Sequence, residues 1–227
     1  GLRIRRKNLR LERAVVGKIA ALGVAPFIMQ STESLVTVVL NSGLQHYGGD
    51  LYVGTVTVMQ SVMQMVVMPV QGITQGVQPI MSYNFGARNY ARVRQTFRLL
   101  LRTTLAVTVT AFLVVTLFPR PLALIFNDDR ELVELVGRVM PIFFGGIWAF
   151  GAQMACQAAF MAMGQAKTSL FLALLRKVIL LVPLAIVLPL VTRNVMGIYV
   201  AEPVADVLAS ATTLTLFLRK RKTLLPE

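Results

Sequence analysis

The sequence predicts an all-α membrane protein with six membrane-spanning helices. Three observations lead to this fold class. Hydrophobic residues make up 56% of the 227 residues, and the mean hydropathy is +0.67. Only 15% of the residues are charged, whereas roughly a quarter are charged in an average soluble domain. The charges are also bunched between uncharged stretches that are long enough to cross a bilayer.

Each predicted span is a largely apolar stretch of about 20 residues or more. The six predicted spans are 19–41, 51–83, 99–118, 139–163, 168–191 and 195–218. A turn-rich stretch, 43–50, closes the first span, and Pro69 lies inside the second, which is long enough to tilt or kink. A basic connector, 88–98, precedes the third span. A hairpin region at 127–131 leads to the fourth span, and a short turn at 164–167 follows it.

The distribution of Lys and Arg predicts that both ends of this segment face the cytoplasm. If the spans alternate in direction, nearly all of the 23 Lys and Arg residues fall on one side of the membrane. The exceptions are Arg120, Arg130, Arg138 and Arg193. Because cytoplasmic connections carry the excess of positive charge, we expect a cytoplasmic basic arm or linker at 1–18 and a basic cytoplasmic tail at 219–227.

The composition argues against several other classes of function. The net charge is +13, but the cations lie at the ends of hydrophobic runs, where they meet anionic headgroups rather than nucleic acid. With one cysteine, Cys156, and one histidine, His46, no disulfide framework or Cys/His metal cluster is expected. We expect Cys156 to be buried and His46 to lie exposed in a loop. No metalloprotease motif or phosphate-binding loop is present, so neither catalysis nor a cofactor is predicted.

Amide side chains follow one face of the second span. If the helix is regular, these five residues fall within about 60° of one another: Gln60, Gln64, Gln71, Gln75 and Gln78. Such a stripe avoids lipid, and two interpretations are compatible with it. The amides can form hydrogen bonds between helices, or they can form the polar wall of a substrate cavity.

The first span carries a similar polar stripe and one acidic residue. The stripe consists of Gln30, Ser34, Thr37 and Asn41. Glu33 lies just off this stripe, roughly 12 Å from the outer end of the span. Because a charge near the centre of a bilayer costs at least a few kcal/mol, Glu33 is our candidate for proton or sodium coupling. The alternative is a structural carboxylate that is protonated or paired with a cation.

The fifth and sixth spans contain four charged residues. Glu202 and Asp206 are four positions apart and share one helix face. They could bind a cation or share a proton, or they could neutralise Arg176 and Lys177 of the fifth span. We favour the pairing of Asp206 with Arg176 and leave the role of Glu202 open.

Five segments carry a resemblance to a known family. They are residues 26–34 (PFIMQSTES), 69–79 (PVQGITQGVQP), 82–87 (SYNFGA), 159–164 (AFMAMG) and 202–206 (EPVAD). These segments resemble the seventh, eighth, tenth and twelfth spans of bacterial MATE (multidrug and toxic compound extrusion) exporters. The resemblance extends over nearly the whole chain.

The resemblance implies the C-terminal six-helix lobe of a two-lobe, twelve-helix transporter in the plasma membrane. Such transporters export cationic and amphipathic drugs by alternating access, driven by H⁺ or Na⁺. Glu33 matches an acidic position that some members use for coupling. Those members also place a carboxylate on the tenth span, where this chain has Gln153 and Gln157, so no confident metal site is implied. Other members couple through an aspartate of the first span, which would lie outside this chain.

The leading hypothesis is therefore one lobe of a cation-coupled multidrug antiporter. Its partners would be membrane lipid, a missing N-terminal lobe or a second half, and toxic organic cations, with no nucleic acid. The predicted cavity residues are Gln30, Ser34, Thr37, Asn41, Gln60 and Gln64. One alternative is a flippase for lipid-linked sugars of the same superfamily, and another is a non-transporting half that scaffolds a partner. The start at Gly1 suggests a fragment of a longer protein.

Overall fold

The structure, a computed structural model, describes residues 13–225. The side chains of residues 14, 15, 18–26, 29, 30, 47 and 222 lie outside this description. Within the described range the chain is helical with no strand, as predicted. The helices are α1 (Arg13–Gly48), α2 (Asp50–Gly86), α3 (Tyr90–Leu117), α4 (Pro119–Leu124), α5 (Arg130–Phe143), α6 (Ile147–Ala162), α7 (Ala166–Leu174), a π-helical segment (Leu175–Leu181), α8 (Val182–Thr192) and α9 (Met196–Leu224).

Several of these helices are long and apolar enough to cross a membrane. Four pass on length and composition: α2, α3, the continuous helix Ala166–Thr192 and the stretch Met196–Arg221 of α9. The pair α5 and α6, bent by 52°, counts as a fifth if it forms one broken span. Helix α1 contains the predicted first span, and its crossing of the membrane stays a prediction.

The turn predicted at 43–50 is wrong. Helix α1 continues to Gly48, and Gly49 alone joins it to α2. Gly49 has a φ of 74°, a conformation that glycine adopts at little cost because it has no β-carbon. His46 is exposed as expected, but it lies in the last turn of α1 rather than in a loop.

The predicted basic connector, 88–98, is mostly helical. The Asn89 side chain accepts a hydrogen bond from the backbone N–H of Arg92 at 3.2 Å, which caps the first turn of α3. Helix α3 therefore begins at Tyr90 and includes three of the four connector arginines. The predicted turn after the fourth span lies where the structure breaks between α6 and α7, and Gly164 has a φ of 75° there.

Helix α6 lies at the centre of the bundle and packs against α2, α3 and α9. Its small residues allow close approach: a β-carbon at Gly151 would lie 2.6 Å from the carbonyl oxygen of Thr104 on α3. A β-carbon at Gly146, just before α6, would lie 2.7 Å from the carbonyl oxygen of Pro203 on α9. Cys156 is buried in this helix, as predicted. Small residues at such contacts are how membrane helices gain packing energy.

Two apolar clusters stabilise the lobe. One includes Met59, Ile147 and Tyr199, and the other includes Met81, Phe160 and Phe217. Since each cluster takes residues from α2, α6 and α9, these three helices run through both. Helix α1 packs against α2 and α9, and the helix Ala166–Thr192 packs against α6 and α9.

Candidate substrate cavity

A cavity of about 380 Å³ lies among α1, α2, α5, α6, α9 and the helix Ala166–Thr192. This last helix contains the fifth predicted span and is called the fifth span below. This volume falls in the range of small-molecule sites. Its polar lining residues are Glu33, Thr37, Gln60, Gln64, Gln71, Gln153, Gln157, Arg176, Lys177 and Glu202. The remaining wall is apolar and includes Met63, Phe143, Phe150 and Met154. The combination can hold a molecule that is partly apolar and partly charged.

The amide stripe of α2 divides between the cavity and the outside of the lobe. Gln60, Gln64 and Gln71 line the cavity. Gln75 is exposed and Gln78 half-buried, and neither contributes to the lining. α2 is continuous through Pro69, so the stripe extends past the cavity toward the end of the helix.

The polar residues of α1 are separated in the same way. Glu33 and Thr37 line the cavity, whereas Ser34 is exposed and does not. Asn41 also lies outside the lining, and its Oδ1 is buried with no hydrogen-bond partner among the described residues. The side chain of Gln30 lies outside the described residues.

Arg176 is the centre of a buried ion cluster. Its Nε donates a hydrogen bond to Oδ1 of Asp206, and its Nη2 donates one to Oε1 of Glu202 at 3.0 Å. The side chains of Arg176, Glu202 and Asp206 are 9%, 5% and 1% exposed. The guanidinium also lies 4.6 Å from the centre of the Phe150 ring, which favours a cation over that ring face. Arg176 thus fixes two turns of α9 to the fifth span.

Lys177 forms a second and more open ion pair. Its Nζ lies 3.0 Å from Oε2 of Glu33. Lys177 is 18% exposed and Glu33 is 55% exposed, so water reaches this pair from the cavity. This contact joins the fifth span to α1.

The π-helical segment Leu175–Leu181 places these two cations. A π turn widens the helix and often occurs at functional sites. Here it allows neighbouring residues to reach acids on two different helices, α9 and α1. The sequence pattern gives no sign of this segment, because it contains neither proline nor glycine.

Gln153 of α6 adds a polar group that lacks a partner. Its side chain is 2% exposed and lines the cavity. Its Oε1 is buried with no hydrogen-bond partner among the described residues. A buried acceptor without a partner is costly, so a ligand that donates a hydrogen bond here would relieve that cost.

No group of three or more His, Cys, Asp and Glu side chains within the described part of the chain could hold a metal ion. The three carboxylates of the cavity region are instead paired with Arg176 and Lys177. The sequence analysis did not identify Phe150, the apolar wall residue whose ring lies beneath Arg176. Only the fold brings this ring and this cation together.

Comparison with known proteins decides the family. The family model MatE matches residues 26–187. The chain belongs to the MatE family. The predicted resemblance is confirmed, and the apolar helices of this family member make it a multi-pass membrane protein.

Curated relatives of this MatE chain are all considerably longer than it. The multidrug export protein MepA of Staphylococcus aureus (strain MSSA476) is 22% identical over 177 residues, which are 77% of this chain and 39% of that protein. An FAD transporter of Shewanella oneidensis is 26% identical over 201 residues, which are 86% of this chain and 43% of that protein. The chain therefore spans about two-fifths of the length of these relatives.

The chain also spans only about half the length of the solved structures that it matches. The MATE multidrug transporter DinF-BH, determined in complex with R6G, is 34% identical with a TM-score of 0.82, and the match covers all of this chain and 50% of that one. A MOP superfamily transporter from Pyrococcus furiosus has a TM-score of 0.85 over 97% of this chain and 50% of its own. Its identity is 16%, so it shows the fold alone. This MatE chain is half of such a fold.

Proposed function

We propose that this chain is the C-terminal lobe of a cation-coupled exporter of amphipathic organic cations. The observation that carries the proposal is the polar, partly apolar cavity on one half of a MATE fold, beside a cluster of three carboxylates and two cations. Alternating access requires a second lobe that rocks against this one, so the active protein contains another six-helix unit. The arm at 1–18 links the lobes, and both ends of the segment lie in the cytoplasm.

The ion pairs of the cavity disfavour an anionic substrate. Its lining contains the cations Arg176 and Lys177, and each is paired with a carboxylate. A pyrophosphate group would have to break these pairs to be neutralised, at a large cost for the buried one. This argues against an anionic cargo such as a lipid pyrophosphate, although one relative is named as an FAD transporter.

Glu33 is the group that we assign to coupling by H⁺ or Na⁺. It is the cavity carboxylate that is more than half exposed, and it pairs with one lysine. Binding or release of an ion at this carboxylate changes the contact between α1 and the fifth span. Such a change can bias the two conformations of the lobe.

The test is ethidium efflux by the protein expressed from its complete gene. We expect Glu33→Gln to reduce the efflux rate about tenfold or more, while the amount of protein in the membrane is unchanged, because the amide cannot exchange charge. Glu131→Gln, an exposed acid on α5 outside the cavity, is the matched control and should leave efflux unchanged. Wild-type efflux from the Glu33 variant for every cation tried would remove Glu33 from coupling. Transport of FAD without transport of any cation would overturn the proposed substrate class.

A further inference from the structure

The partner that Glu33 has in this structure is replaceable. Lys177 contacts it through Oε2 only, and the Glu33 side chain is 55% exposed on the cavity wall. Another cation in the cavity can therefore approach the carboxylate without moving a helix. The buried pairs of Arg176 offer no such access, since all three of those side chains are 9% exposed or less.

A lysine that leaves Glu33 has another acid in the same cavity. Lys177 and Glu202 both line it, and Glu202 receives a hydrogen bond from Arg176 through Oε1. The four-carbon stem of lysine is flexible enough for its ammonium to move between neighbouring acids. Displacement from Glu33 therefore leaves Lys177 with a partner.

The charge balance of the whole cluster leaves room for one more cation. It holds three carboxylates, one on α1 and two on α9, and two cations, Arg176 and Lys177. When all of these groups are ionised, the cluster is one positive charge short of neutrality. Gln153 supplies an independent sign of a ligand, because its buried Oε1 in the same cavity lacks a donor among the described residues.

We propose that Lys177 is a built-in competitor for the cationic group of the substrate at Glu33. An organic cation binds Glu33 by displacing the Lys177 ammonium, which turns toward Glu202, and an N–H group on the ligand satisfies Gln153 Oε1. Lys177 is then a specificity-determining residue, since every cation that binds at Glu33 must compete with its ammonium. The inference rests on the proposed function, because it requires an organic cation as the substrate.

The test is ethidium binding to the purified protein from the complete gene, measured by fluorescence polarisation in detergent. Removing the competitor in Lys177→Met should tighten ethidium binding by about 1.5- to fivefold, the range expected for loss of a half-exposed ion pair. Lys167→Met makes the same change of charge in the exposed first turn of α7, outside the cavity, and should bind ethidium as the wild type does. If Lys177→Met does not accumulate as folded protein, Lys177→Gln serves the same test.

A second pair of variants separates exchange at Glu33 from a general effect of charge. In a Glu33→Gln background, Lys177→Met should leave ethidium affinity unchanged, because the carboxylate at position 33 for which the two cations compete is gone. Equal tightening with and without Glu33 would overturn the proposal, as would wild-type or weaker affinity in Lys177→Met alone. The wild-type measurement reads the proposed function separately: if ethidium and other organic cations bind no form of the protein, the substrate class is wrong and this inference falls with it.

Discussion

Arg176 and Lys177 are adjacent in sequence, but they form two different kinds of ion pair. Arg176 is enclosed by Glu202 and Asp206 of α9 and by the Phe150 ring. Lys177 pairs with the exposed carboxylate of Glu33 on α1, and both residues line the cavity. A buried charge held by several partners is hard to remove, because each partner would be left without compensation. A half-exposed pair costs little to break, because water screens both charges.

The difference assigns separate tasks to the two sides of the fifth span. The Arg176 side holds α9 in place and keeps one wall of the cavity constant. On the Lys177 side, α1 is held by a half-exposed ion pair, and we propose that a ligand or an ion exchanges this contact. A transporter lobe needs both properties, since its helices must move without coming apart.

The largest expected effect is on the Arg176 side. Arg176→Met leaves Glu202 and Asp206 buried without a cation, and we expect a loss of about 3–5 kcal/mol in the free energy of unfolding. Thermal unfolding of the purified protein in detergent measures this as a lowered midpoint. A triple variant, Arg176→Met with Glu202→Met and Asp206→Leu, should recover most of the loss, because no buried charge remains. If Arg176→Met unfolds at the same temperature as the wild type, the carboxylates of Glu202 and Asp206 are not shielded from water.

A smaller effect of opposite sign is expected at Gln153, in the cavity wall. Gln153→Met keeps the length of the side chain and removes the buried acceptor that has no partner, so the free energy of unfolding should rise by about 1 kcal/mol. Ethidium binding should weaken in the same variant, because the ligand loses a hydrogen-bond acceptor. The same thermal unfolding and polarisation assays measure both effects. A destabilised variant would show that Gln153 Oε1 already has a partner in the protein.

The smallest effect on stability is expected on the Lys177 side. Lys177→Met should change the free energy of unfolding by less than about 1 kcal/mol, because Glu33 can be solvated from the cavity once its partner is gone. Raising the salt concentration should reduce the difference in the free energy of unfolding between Lys177→Met and the wild type, because salt screens an exposed pair. The corresponding difference between Arg176→Met and the wild type should be nearly unchanged. A loss as large as that of Arg176→Met would remove the contrast between the two pairs.

Much of the fold could be predicted because the bilayer imposes its dimensions on the sequence. Long apolar stretches with bunched charges indicated an all-helical membrane protein, and the described helices follow the predicted spans in order. The fourth predicted span, 139–163, is divided between α5 and α6, which meet at a bend of 52°. The boundaries were less predictable. Glycines at 48 and 49 suggested a turn of several residues, but only Gly49 leaves the helix. The cap at Asn89 extended α3 back through residues that are too basic to be read as part of a span.

The candidate site could be predicted only in part. Helical periodicity placed Gln60 and Gln64 on one face with Gln71, and all three line the cavity. The same reasoning grouped Thr37 with Ser34 and Asn41, but of these three only Thr37 lines it. Periodicity gives the face of a helix, and it does not give the depth at which a neighbouring helix covers that face.

The sequence by itself determined the helices, the family resemblance and the presence of costly polar groups within apolar spans. These follow from composition and spacing, which act along the chain. The tertiary structure alone decided which cation meets which acid, because that choice depends on the π-helical segment and on the packing of α1, α6 and α9 around it. Lys177 and Glu33 are far apart in sequence and touch only because the fifth span packs against α1, so this contact could be found only in three dimensions.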